Sequence, residues 1–408
     1  MKSQEKEKAV EQVLFARRAS KLSTSAAAGP SATAISFDSG HAFPGILPDL
    51  TQVATAALSK YRAETLQYAP RYGLPELRSW IAEYMRADGV VNLSPEEVLV
   101  VNGAKHGLEL ICRLLLDEGD SIVVTAPTYF TAIPIFKSFG VEFIEIPQDS
   151  EGLNVSELQR SLEDRKQAGK RLPKFIYDVP DFHNPTGLTM SRNRRETIIE
   201  LANDYGLFIV EDSPYRKVRF EGESQPSLKA LDDSNNTVLT LGTFSKLMAP
   251  GLRVGWIAAR RDLLARIVQL KSDGGSCPLT QRLIIEFCVT GQLDNHIRRV
   301  QETYRVHRDR MVAAVRRELP KAEFNVPHGG YYLWLTFPPD CDGDDLVKRA
   351  AQEDVILVPG SKFFTASSGP GVGQPSPQNH IRAAYSYASP DQIDEGVRRL
   401  ARAYHSIT

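Results

Sequence analysis

Five short apolar runs of this chain lead into side chains that could do chemistry together. VLVV (98–101) is followed by Asn102-Gly103-Ala104-Lys105-His106, and SIVVTA (121–126) by Pro127, Thr128 and Tyr129. KFIYDV (174–179) leads into Pro180-Asp181-Phe182-His183-Asn184-Pro185-Thr186-Gly187. LFIVED (207–212) itself ends on Asp212, with Tyr215 three residues on. TVLTLG (237–242) is followed by Thr243-Phe244-Ser245-Lys246 and then by Pro250-Gly251-Leu252-Arg253. If these runs are strands of one open α/β sheet, a ligand lies beyond their carboxyl ends. One rim then carries a phosphate-type turn, an aromatic ring, an asparagine, a carboxylate and a lysine. That set suits an anionic aromatic cofactor that needs an amine.

The elements that must position these residues are legible in the patterning. With VEFIEI (141–146) and VGWIAA (254–259) the β-branched runs number seven. Most are continuously apolar instead of alternating, as strands covered on both faces are. Helical stretches such as 104–117 and 191–204 separate them, the second opened by Ser191 and closed near Gly206. The repeated β/α order predicts a mostly parallel seven-stranded sheet between helices, an α/β fold. After Leu293 the pattern changes. Ile297, Val300, Tyr304, His307, Met311 and Val315 recur every three or four positions and predict one long amphipathic helix. Short strands are expected at FNVP, YYLWLTF, VILVP and HIRAAYS, with helices near 344–352 and 390–404, making a smaller α+β domain. The expected organisation is an N-terminal helix and flexible arm (1–34), a joining segment (35–55), a large domain (56–290) and a small domain (291–408). SSGPGVGQPSPQ (367–378) reads as a surface loop. No internal repeat is present.

Composition removes several function classes. Among 408 residues, 49 basic and 50 acidic side chains leave a net charge of −1, so there is no electrostatic footprint for nucleic acid. Cys112, Cys277, Cys288 and Cys341 lie far apart with no CxxC pair, which argues against a zinc site or a disulfide framework and fits a reducing compartment. His41, His106 and His183 show no metal-ligand spacing and read as satisfied polar residues, so no metal is expected. No apolar stretch is long enough to span a membrane and no signal core precedes the first run, so the expected location is the cytoplasm.

Six motifs in order carry a resemblance: LQYAPRYGLPELR (66–78), HNPTG (183–187), EDSPY (211–215), TFSKLMAPGLRVGW (243–256), PHGGYYLW (327–334) and IRAAYS (381–386). Over residues 35–405 the chain resembles the fold-type I pyridoxal-phosphate enzymes, specifically class I/II aminotransferases of the 2-aminoadipate and kynurenine branch. The resemblance implies pyridoxal 5'-phosphate held by Lys246 as a Schiff base, the same lysine then moving the α-proton. It implies Asp212 on the pyridine nitrogen, Asn184 and Tyr215 on the ring 3-oxygen, and Tyr129 stacked on the ring. The phosphate would be held by Thr243, Ser245, Arg253 and the helix start at Gly103, Ala104 and Lys105. Arg382 would fork onto the substrate α-carboxylate, and Asn184, Ser39 and Gly40 would also contact the substrate. Tyr68 would reach the phosphate of a neighbouring subunit, which implies a homodimer acting on an α-amino acid and a 2-oxo acid by ping-pong half-reactions.

Two stretches depart from that branch. Gly103-Ala104-Lys105 stands where Gly-Ser-Gln is common, losing a hydroxyl and adding a cation. FDSGHAFPGILP (37–48) stands where FxGGxPxPxxFP is frequent, which blurs the substrate side chain. The rival readings are a lyase, racemase, decarboxylase or oxidase on the same scaffold. A transcription regulator of this fold is a further rival, but it would carry a DNA-binding domain ahead of residue 35.

Overall fold

The continuously apolar runs become strands covered on both faces. In the computed structural model, which describes residues 31, 33–232, 237–365 and 377–407, thirteen strands occur. They are β1 (Ile35–Ser36), β2 (Val98–Val101), β3 (Ser121–Ala126), β4 (Glu142–Asp149), β5 (Gly152–Leu153), β6 (Phe175–Asp178) and β7 (Phe208–Asp212). β8 (Val238–Thr243), β9 (Gly255–Ala258), β10 (Tyr332–Thr336), β11 (Val355–Ile356), β12 (Val358–Pro359) and β13 (His380–Ala384) follow. Most of the arm expected over residues 1–34 and of the loop expected over 367–378 lies outside the described residues.

One sheet has the order β2-β9-β8-β7-β6-β3-β4-β5. β3, β4, β6, β7 and β8 run parallel to one another, and β9 runs against both β8 and β2. Two reversals restore β2 to the direction of β8. The carboxyl ends of β2, β3, β6, β7 and β8 therefore share one rim, and all five candidate loops leave from it. Seven strands are those expected. The eighth, β5, is a two-residue hairpin partner of β4, too short to leave a periodic signal.

The strands sort their side chains by the two-residue period. Leu99 and Val101 of β2 join one apolar cluster, with Tyr177, Val210, Leu241 and Ile257. Val98 and Val100 join another on the opposite face, with Phe244, Val254 and Trp256. The helix following β6 shows how locally written the connections are. It spans Arg192–Tyr205, the Ser191 side chain accepts from the Arg194 amide at its start, and Gly206 closes it at φ 67°.

The carboxyl-terminal third builds a separate antiparallel sheet, β10-β13-β12, flanked by a long helix (Gln292–Glu318) and a last one (Pro390–His405). β1 pairs in parallel with β11, so the segment following residue 35 starts against the chain near 355. FNVP (324–327) forms no strand. Pro327 lacks an amide donor, and pairing is confined to a single bridge between Glu323 and Thr336.

Candidate active site

The loops at the carboxyl rim and the face of β13 enclose a cavity of about 680 Å³. It is lined by Ser39, Gly40, Ala104, Lys105, Tyr129, Asn184, Asp212, Tyr215, Thr243, Ser245, Lys246, Arg253 and Arg382. Every candidate residue is thus brought together except Gly103 and Tyr68. Gly103 stands directly behind the wall: at φ 87° it opens the helix Ala104–Leu115, and a Cβ there would come within 2.8 Å of Arg253 Nη2. Tyr68 is 84% exposed, close to Gly274, and lines no part of this cavity.

Lys246 follows β8 and points its amine inward, donating to the Gly40 carbonyl at 2.5 Å and lying 4.9 Å over the Tyr331 ring. Burial lowers its pKa to about 8, and the nearby Arg382 and Arg253 guanidiniums push the same way. Asp212 ends β7 and is buried. Tyr177 on β6 donates to its Oδ2 at 2.9 Å, while Oδ1 has no hydrogen-bond partner. Burial lifts this carboxyl to about 6 against the opposing hydrogen bond. Tyr177 pairs with Val210 in the β6–β7 register, which puts it on the same sheet face as Asp212.

Asn184 is buried in the loop after β6. Its Oδ1 accepts from Arg382 Nη1 at 2.9 Å, and its Nδ2 has no partner. Arg382, on β13 and 1% exposed, also donates to the Asp38 carbonyl, and its Nε has no partner. The loop bearing Asn184 is braced from below. Arg195 donates to Asp181 at 3.0 Å and to the carbonyls of Pro180 and Met190, and Arg216 reaches Asp181 at 3.2 Å. Burial opposes ionisation of Asp181, yet the Arg195 and Arg216 charges hold its carboxyl below the ordinary value.

Also on the cavity wall, the Thr243 hydroxyl bonds Ser245 Oγ at 3.0 Å and accepts from the Ser245 amide. Arg253 and Lys105 are exposed there, Arg253 donating to the Asn102 carbonyl at 3.3 Å. A helix start, two hydroxyls and two cations form a cradle for a dianion. His183 is a buried, partnered histidine. Its ring nitrogens sit 3.1 Å from Thr125 and Thr186 hydroxyls, and burial pushes its imidazole down to about 3. Among the described residues no cluster of three or more His, Cys, Asp or Glu side chains is placed to hold a metal.

Sequence reading missed Tyr177 and Tyr332. Tyr332 lies within a quoted motif, but its hydroxyl stands 3.0 Å from that of Tyr215 and its ring 4.2 Å beneath the Arg382 guanidinium. The Arg382 contact depends on the β10–β13 register, and the Tyr215 contact on how a loop of the large sheet meets β10.

The family "Aminotransferase class I and II" matches residues 35–400. The chain belongs to the class I and II aminotransferases. It is 36% identical to an aromatic-amino-acid aminotransferase of Thermococcus litoralis, covering 86% of this chain and 82% of the relative. It is 32% identical to a 2-aminoadipate transaminase of Thermus thermophilus, covering 91% and 90%. A solved alpha-aminoadipate aminotransferase from Thermus thermophilus, complexed with N-(5'-phosphopyridoxyl)-L-leucine, superposes with a TM-score of 0.87 at 31% identity, covering 97% and 98%. This aminotransferase is an enzyme of the fold-type I architecture and transfers amino groups. No described helix is long and apolar enough to cross a membrane.

Proposed function

We propose that this aminotransferase moves the amino group of an α-amino acid to a 2-oxo acid using pyridoxal 5'-phosphate attached at Lys246. The observation that carries the reading is a set of buried polar atoms without partners on three residues that line one cavity: Asp212 Oδ1, Asn184 Nδ2 and Arg382 Nε. Buried polar groups are ordinarily satisfied, so each such atom asks for a ligand group. A protonated pyridine nitrogen fits the carboxylate oxygen, and a ring oxygen fits the amide donor and the Tyr215 phenol. A dianionic phosphate fits the cradle of Ser245, Thr243, Arg253, Lys105 and the helix start behind Gly103. When bound, the cofactor supplies an electron sink for the carbon that loses its α-proton.

The chain's own residues do the rest. Lys246, neutral above about pH 8, takes a proton at Nζ and returns it. Asp212 holds the ring nitrogen's proton at Oδ1. Tyr129 covers the cofactor ring, Arg382 orients the substrate through its carboxylate, and Ser39 and Gly40 bound the side chain's path. Asn184 fixes Arg382 through Oδ1 and leaves its Nδ2 for the ring oxygen. Residues 56–290 act as the cofactor-binding domain and 291–408 as the small domain, with 35–55 joining them. The exposed Tyr68 serves a neighbouring copy's phosphate, so the working unit is a homodimer, placed in the reducing cytoplasm that its four free cysteines suit.

The test loads the protein with pyridoxal 5'-phosphate, reduces it with borohydride and maps the labelled peptide. Label on Lys246 is expected, and the loaded but unreduced protein should form equimolar keto acid and new amino acid when donor and acceptor are supplied. Label elsewhere rejects the assignment of Lys246. Release of ammonia or peroxide in place of amino transfer rejects the reaction.

A further inference from the structure

We propose that Tyr332 is a positioning residue that sets two members of the site at once, its hydroxyl orienting the Tyr215 phenol and its ring seating the Arg382 guanidinium. The inference rests on the roles given above to Tyr215 and Arg382.

The placement begins in the backbone. Gly330 takes φ 78°, a left-handed conformation suited to glycine, at the entry to β10. Tyr331 and Tyr332 follow, Tyr332 being the first residue of β10. Tyr331 lies under the Lys246 amine, and Tyr332 is buried against the cavity wall. In the antiparallel β10–β13 register Tyr332 faces Ala384 and Trp334 faces Arg382. Arg382 is therefore the diagonal neighbour of Tyr332 on the same face, a separation that a long side chain and an aromatic ring can bridge. The guanidinium lies 4.2 Å from the Tyr332 centroid, nearer than to the rings of Phe130 and Phe363 at 5.2 Å each. A cation held on a ring face is restrained to the plane of that face while its edge stays free to hydrogen-bond. The partnerless Nε lies on that edge.

The hydroxyl has a different task. Tyr332 and Tyr215 hydroxyls are 3.0 Å apart, and both rings are buried. Each phenol owns one proton, so one donates and the other accepts. When an anionic oxygen stands beside Tyr215, Tyr215 donates to it and Tyr332 donates to Tyr215. A donor that itself accepts a hydrogen bond is polarised and donates more strongly. Tyr129, Tyr331 and Arg382 also face Tyr215, but the hydrogen bond to its hydroxyl comes from Tyr332. Space enforces the geometry: a Cβ on Gly40 would lie 2.2 Å from Tyr332 Oη and 3.4 Å from Lys246 Nζ. Gly40 thus lets the phenol approach the amine's neighbourhood.

The experiment separates ring from hydroxyl. Tyr332→Phe keeps the ring and should leave KM for amino acids within about twofold of wild type. The pH midpoint of the visible band of the cofactor-loaded protein should rise by roughly 0.3–1 unit, because Tyr215 donates more weakly to the ring oxygen. Tyr332→Leu removes the ring and should raise KM for an α-amino acid about 3–30-fold while sparing the matching amine that lacks a carboxylate. Melting of the unloaded proteins checks folding, and Tyr332→Met replaces the leucine variant if it fails to fold. An unmoved midpoint in Tyr332→Phe, or an equal loss for amine and amino acid in the ring-deleted variant, overturns the proposal. A wild-type protein that binds no pyridoxal 5'-phosphate overturns both this proposal and the reading beneath it.

Discussion

Burial brings the amine of Lys246 and the carboxyl of Asp212 toward neutrality from opposite directions. For Asp212 the folded value is about 6 against an ordinary 3.8. Between those values the folded, unloaded protein holds a proton that the unfolded chain has released, so this group's contribution to stability falls as pH rises through that window. Above it, a buried carboxylate is carried with one oxygen unsatisfied. Asp212→Asn should therefore melt above the wild type at pH 7 when both are unloaded, with the gap closing toward about pH 4. The same variant should bind cofactor more weakly and remove the α-proton more slowly, because an amide cannot hold the pyridinium proton. Calorimetry of the unloaded proteins across that pH range checks the first point. An Asn variant less stable than wild type at pH 7 would place the carboxyl in a structural role. Arg382 acts on recognition instead. Arg382→Ala removes charge-assisted contacts of about 1.5–3 kcal/mol each and should raise KM for amino and oxo acids roughly 10–100-fold. A simple amine should be spared.

The helix start at Gly103 shows how an element, more than any single side chain, builds the phosphate end. The turn needs φ 87°, and a Cβ there would come within 2.8 Å of Arg253 Nη2, so the guanidinium would have to shift. Gly103→Ala combines a left-handed strain of about 1–3 kcal/mol with displacement of the guanidinium. Cofactor affinity should fall at least about tenfold. The substrate KM at saturating cofactor should change little, because the side chain that Gly103 borders is Arg253 and not Arg382. Titration with pyridoxal 5'-phosphate measures the first and steady-state kinetics the second. Such elements were legible wherever the signal is local. The seven strands, the caps at Ser191 and Gly206, and the long helix through Val300 and Met311 follow from period and capping chemistry. So did the rim residues, because strand ends and their following residues are adjacent in the chain. What escaped depends on register. Tyr332 meets Arg382 through the β10–β13 pairing, and Tyr177 meets Asp212 through β6–β7. Nothing in the local sequence fixes which residues face each other there. FNVP misled because its apolar content suggests a strand while Pro327 withholds the donor.

At the scale of the whole molecule, the proposed dimer turns on Tyr68. It is a tyrosine 84% exposed, with the exposed Leu66 two residues before it, and both stand apart from this chain's own cavity. Burying such aromatic and aliphatic surface is a main driving force of association. If the proposed dimer is a two-fold one, each Tyr68 completes the other copy's phosphate cradle and the two sites are equivalent. This makes a sharp prediction about mixtures. Lys246→Ala kills its own site but still offers Tyr68 to a partner. Tyr68→Ala keeps Lys246 but leaves its partner's site without the phenol. In the mixed dimer one site lacks both residues, and the other combines an intact Lys246 with an intact Tyr68. Random reassortment of equal amounts puts half the molecules in mixed dimers, so about a quarter of wild-type activity should be regained at limiting cofactor. If Tyr68 instead served its own chain, every Lys246 in the mixture would lie beside the alanine at position 68, and no activity would be regained. Low cofactor concentration is the discriminating condition, because a missing phosphate contact is masked when cofactor saturates. Sedimentation of the mixture on dilution supplies the independent check. The regained activity should disappear with the dimer, and a monomer that stays fully active removes the need for a second copy altogether.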